Sequence, residues 1–217
     1  MFPPPLNSML KNHNIVFEVG RPTLCMASAR SPTLETLLVF VIVFALQGVA
    51  SLVGLFGLFV LAPPITPSPV TVLTSVTSIY AHASIPHLLS NSLALLLAGM
   101  LVERRTTRWR FHAFFIVVGV LAGVAQVVST GLLGPGTAVL GASGAVFGLI
   151  GYLLAGNVVA ESLLDRVRLS PRAQFGLFAL AALVVTVATG RPGVALVAHF
   201  TGLLLGLLAG AAGVLDT

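Results

Sequence analysis

Residues 141–160 read GASGAVFGLIGYLLAGNVVA, twenty residues without one charge. A helix needs about 20 apolar residues to cross the hydrocarbon of a bilayer. The head of this run, Gly141-Ala142-Ser143-Gly144, sets a serine among small residues where such a helix would begin. Working outward, positions 111–160 lack any Asp, Glu, Lys or Arg, as do 36–102, 173–190 and 192–215. Hydrophobic residues make up 57% of the 217 and charged residues 8%. This composition excludes an ordinary soluble domain. The first two windows each hold two spans and the last two hold one each. We read six: roughly 36–60, 86–102, 111–130, 142–160, 173–190 and 193–214.

The spans lack period-2 alternation, and only helices or closed barrels satisfy their backbone in lipid. The expected fold class is therefore all-α, a polytopic membrane protein with six transmembrane helices. Residues 1–33 are expected to be a short, disordered cytoplasmic tail, and 34–217 the membrane domain. The first span lies too far from Met1 and is too long for a signal peptide. With the N-terminus in the cytoplasm, the inside segments hold Lys11, Arg21, Arg30, Arg104, Arg105, Arg108, Arg110, Arg166, Arg168 and Arg172. The outside holds Arg191 alone. Ten against one is a strong positive-inside bias, so both termini are expected in the cytoplasm and the protein in the cell membrane. These cations sit beside anionic lipid headgroups and call for no nucleic acid. The single cysteine, Cys25, excludes an internal disulfide and a cysteine-based metal site. Residues 61–85, with Pro63, Pro64, Pro67 and Pro69, read as the longest outside loop. Its apolar second half, 70–83, suits the membrane interface.

Placed by depth, the polar residues converge. His199 lies eight residues past Arg191, about 12 Å into the sixth span. Ser143 opens the fourth. His87 and Asn91 are four apart near the outer start of the second, on one helix face. Ser84 suits the cap of that helix and Pro86 its first turn. Ionisable residues at such depths are costly and read as functional. Gly144 and Gly148 on the fourth span, and Gly202, Gly206 and Gly210 on the sixth, form small-residue stripes that let helices approach closely. Packing these stripes together carries His199 towards Ser143. A serine is a weak nucleophile until a neighbouring imidazole takes its proton. The six acids, Glu18, Glu35, Glu103, Glu161, Asp165 and Asp216, all lie outside the spans. A Ser143–His199 dyad is thus the serine-protease arrangement on offer. Asn91, His87 and the Ser143 N–H are the candidate oxyanion donors.

These residues resemble the rhomboid family of intramembrane serine proteases, in its prokaryotic six-span form. The likeness runs from about Thr74 to the C-terminus. It rests on His82-x4-His87-x3-Asn91, Gly99-x3-Glu103-Arg104, Gly141-Ala142-Ser143-Gly144-Ala145-Val146-Phe147-Gly148 and Ala198-His199-x2-Gly202-x3-Gly206. The resemblance implies Ser143 as nucleophile, His199 as base, and His87, Asn91 and the Ser143 backbone as the oxyanion hole. It implies cleavage of single-span membrane proteins near their outer ends, after small residues, without cofactor or metal. Two positions depart from the family. Loop 61–85 has no Trp-Arg pair, and Phe147 stands where many members carry a tyrosine stacked on the catalytic histidine.

Other readings are weighed against this one. Ser143 could be a packing serine, His199 a helix-linking hydrogen bonder, and His87 and Asn91 structural glue. A rhomboid-like protein could bind client transmembrane helices without cutting them. A small transporter would want ion ligands at mid-membrane. A zinc site at His82 and His87 lacks a third ligand. His82 is expected to hold the outer loop, His112 to meet headgroups, and Glu103 to be structural. The sequence sets no oligomeric state.

Overall fold

A computed structural model describes residues 30–156, 169–190 and 194–217. The expected tail therefore falls almost wholly outside the described residues. So do His13, Cys25, Glu161, Asp165, Arg166, Arg168 and Arg191.

Seven α-helices are described: α1 Pro32–Leu52, α2 Pro69–Tyr80, α3 Ile85–Val102, α4 Arg108–Leu133, α5 Ser143–Ala155, α6 Pro171–Ala188 and α7 Leu196–Ala211. Four of them (α1, α3, α4 and α6) are long and apolar enough to cross a membrane, and α5 and α7 are shorter apolar helices. These six fill the places read from the charge gaps. The burial pattern is that of a bundle in lipid. Leu38, Val41, Leu97 and Leu180 face outward, whereas Thr36, Gln47, Gln126 and Thr186 are buried.

Five helices start on a side-chain cap. Ser31, Ser68, Ser84, Thr107 and Ser170 each accept a hydrogen bond from the N–H three residues on. Pro32, Pro69, Pro86 and Pro171 stand in the first turn of four of them, where a missing N–H costs nothing. The N-cap residues of α5 and α7, Ala142 and Ala195, offer no such side chain. These two helices carry Ser143 and His199.

Two boundaries differ from the sequence reading. The first span stops at Leu52 rather than near 60, because Gly54 turns the chain with φ +74° into a short 3-10 helix, Phe56–Phe59. The loop 61–85 contains α2, opened by the Ser68-Pro69 cap. Its face of Thr74, Ser75, Ser78 and Ile79 packs inward, and Val70, Val72 and Leu73 remain exposed. Two ties bind this region to the loop before α5. Leu61 and Val139 exchange N–H···O bonds of 3.0 and 2.8 Å, and the Gly141 N–H donates to the Ser78 carbonyl at 2.8 Å.

The centre of the bundle is the α5–α7 pair, with α3 and α4 against α5 and α6 against α7. Glycines make this seam. A methyl group on Gly202 would overlap the Gly144 carbonyl, and one on Gly206 would overlap that of Gly148. Main chain therefore meets main chain, as the two glycine stripes led us to expect. Around it lie Leu95, Phe111, Phe114, Phe115, Leu149 and Tyr152, all buried.

The arginine-rich end of the bundle is tied together by polar contacts. Glu103 Oε2 accepts from Ser31 Oγ at 2.7 Å and from the Thr33 N–H at 3.1 Å, a structural role as anticipated. Arg105 donates to the Gly156 carbonyl at the end of α5. The Tyr152 hydroxyl donates to Asp216 Oδ1 at 2.8 Å. His112 departs from expectation. Its Nε2 lies 2.9 Å from Glu35 Oε2, which Arg108 Nε also reaches at 2.7 Å, so it is a hydrogen-bond partner at the Glu35–Arg108 ion pair. A carboxylate one helix away is a stronger partner than a mobile headgroup.

Candidate active site

A cavity of about 670 Å³ opens at the other end of the bundle, between α3, α5 and the start of α7. Ser143, His199, His87 and Asn91 all line it, together with Ser90, Phe147, Leu140 and Ala195. None of its lining residues is an Asp, Glu, Lys or Arg. The four residues singled out in the sequence, from three helices, thus share one uncharged cavity.

Ser143 is the first residue of α5. The N–H groups of a first helical turn have no acceptor within the helix and carry the positive end of its dipole. With no capping side chain on Ala142, they stay available to an anion. Gly141 explains how the chain reaches this position. Its φ is +125°, and a methyl group there would lie 2.7 Å from His87 Cε1 and 2.9 Å from His87 Nε2. Both the backbone and the space require glycine.

His199 sits one turn inside α7, buried, with its ring stacked on Phe147 at 4.3 Å and 23°. The stack expected of a tyrosine is formed by a phenyl ring. His199 Nδ1 is buried without a hydrogen-bond partner, which leaves Nε2 as the nitrogen available to the cavity. The residues next to the pair touch. A methyl group on Gly144 would lie 3.6 Å from the Ala198 carbonyl oxygen and 2.6 Å from Ala122 Cβ. Among the hydrogen bonds formed by the described residues there is none between Ser143 and His199. Such bonds are often long in empty sites and tighten when substrate is bound.

His87 and Asn91 form the opposite wall. The Ala83 N–H donates to His87 Nδ1 at 3.4 Å, which in the neutral ring leaves the proton on Nε2, over Gly141. Asn91 Nδ2 donates one hydrogen to the His87 carbonyl at 3.2 Å and has a second to offer. His82 stands behind this wall. Its ring lies 5.2 Å from that of His87 and 4.8 Å from that of Phe40. Its N–H donates to Gln47 Oε1 at 2.9 Å, while Gln47 Nε2 donates to the His82 carbonyl at 3.3 Å. These two main-chain bonds tie the loop before α3 to α1. Gln47 was not singled out from the sequence. A lone amide in an apolar helix was the available signal.

Among the described residues no three His, Cys, Asp or Glu side chains stand together in a way that could hold a metal. A family model described as Rhomboid domain matches residues 69–215, from the start of α2 to just beyond the end of α7. No curated protein matches the chain.

Proposed function

We propose that this chain, which belongs to the rhomboid family, is a serine endopeptidase that cuts transmembrane-helix proteins within the membrane. The observation that carries this reading is the single uncharged cavity holding Ser143, His199, His87 and Asn91. In the reaction, His199 Nε2 takes the Ser143 proton as Oγ attacks the scissile carbonyl carbon. The carbonyl oxygen becomes an anion and meets donors from Asn91, His87 Nε2 and the Ser143 N–H. Collapse breaks the C–N bond, and His199 returns the proton to the leaving amine. Water, deprotonated by the same imidazole, then attacks the acyl-enzyme and frees Ser143. Among the described residues no carboxylate orients the base, and the ring is held by Phe147 and by α7 itself.

Residues 34–217 form the membrane domain in this reading. It lies in the cell membrane with both termini in the cytoplasm, so the cavity faces outward and the arginine end faces in. Its partners are single-span substrates cut after small residues, and lipids. The second reading, a protein that binds client helices without cutting, draws on the missing Ser143–His199 hydrogen bond.

A membrane-impermeant fluorophosphonate separates these readings. Intact cells should label wild type and leave Ser143→Ala unlabelled. Labelling that appears only after permeabilisation would reverse the orientation. No labelling in either state would favour the non-cutting reading. Asn91→Ala should lower kcat by about 10²-fold with KM little changed, because one oxyanion donor is typically worth that much. A kcat within twofold of wild type would remove Asn91 from the oxyanion hole.

A further inference from the structure

Among the described residues, each of the other helices with a side-chain cap takes it from the residue just before it, but α7 takes one from across the bundle. Its N-cap residue is Ala195, which has no acceptor to offer. In lipid an unpaired N–H costs several kcal/mol, since no water replaces the lost partner. The first bond within α7 is donated by the His199 N–H itself, to the Ala195 carbonyl at 3.1 Å. The N–H just before it, that of Ala198, has no acceptor inside the helix. It donates instead to Gln126 Oε1 at 3.2 Å. Gln126 stands 72 residues earlier, on α4, and its side chain is buried.

We infer that Gln126 is a positioning residue for His199, capping the first turn of α7 from α4 and so fixing the pose of the base. The bond falls at the helix position where a serine or aspartate cap ordinarily delivers its oxygen. Its geometry couples three helices. Ala198 is held by Gln126 of α4 on one side and lies against Gly144 of α5 on another. The residue before the base is therefore locked against the residue after the nucleophile. If the cap is lost, the first turn opens through Leu196–His199, and the ring leaves its stack on Phe147. The packing further along α7, at Gly202, Gly206 and Gly210, does not depend on that bond.

The inference rests on His199 being the base, so its test has one arm that needs no catalysis. Gln126→Leu removes the acceptor at similar size, and Gln126→Glu keeps an oxygen there. Hydrogen exchange should show Gln126→Leu speeding the amides of 197–200 by about fivefold, the equivalent of a lost cap. Amides of 203–210 should be unchanged. On a single-span substrate, kcat should fall about tenfold with KM within twofold, because the loss lies in alignment and not in binding. Gln126→Glu should restore most of both. Unchanged exchange at 197–200 in Gln126→Leu overturns the cap. Faster exchange with wild-type kcat overturns the positioning role, and so does loss of activity in Gln126→Glu equal to that in Gln126→Leu. If Gln126→Leu does not accumulate, Gln126→Ala takes its place in both arms. A wild-type protein that cuts nothing would defeat the protease reading and leave the exchange arm to judge the cap.

Discussion

Ser143→Ala and His199→Ala should each abolish cleavage of a single-span substrate in proteoliposomes, by at least about 10³-fold. The two losses should not add. In the proposed mechanism nucleophile and base act as one unit, so the double variant should be no slower than either single one. The folded state should tolerate both changes. Ser143 contributes a small side chain to an open cavity, and neither residue forms the bundle's seam. Thermal midpoints within a few degrees of wild type would separate lost chemistry from lost fold. Cleavage by either variant at a tenth of the wild-type rate or better would sink the dyad.

Gly202→Val should be nearly as damaging to activity, through geometry instead of chemistry. The new side chain would have to occupy the position of the Gly144 carbonyl, where backbone and not a flexible side chain is in the way. Helices α5 and α7 must separate, at a cost on the order of 3 kcal/mol for overpacking a tight contact. Displacing the dyad by about 1 Å costs on the order of 10²-fold in rate. The variant should therefore melt earlier and cut at least about 100-fold more slowly. Gly176→Val is the control, because a methyl group on Gly176 of α6 meets nothing within 4 Å. Equal effects at the two positions would mean that helix propensity, not the seam, governs the loss.

Much of this was legible because charge, glycine and histidine are rare and localised in this chain. The gaps between charges located six apolar helices. The Ser84 cap and Pro86 were read as they stand, and the two glycine stripes named the seam. His87, Asn91, Ser143 and His199 were singled out together and do share a cavity. What escaped notice has a common cause. Gln47 and Gln126 find their partners 35 and 72 residues away, and no local pattern announces a partner at that distance. Helix α2 hid within a proline-rich segment whose buried face is Thr, Ser and Ile, so its periodicity was inverted relative to a soluble helix. His112 was assigned to headgroups because Glu35 lies 77 residues before it in sequence and one helix away in space.

The glycine seam also restricts how α5 and α7 can be arranged at all. Sliding one helix past the other by a single residue turns it by about 100° and brings a side chain where only main chain fits. Because the glycines recur every four residues, the nearest shift that again sets glycine over glycine is a whole turn. That step shifts His199 by about 6 Å along α7 relative to Ser143, too far for the proton transfer proposed between them. The registers open to this pair are therefore discrete, and a partly slipped helix pair is not among them. Ser143 and His199 are either in register or a full turn apart.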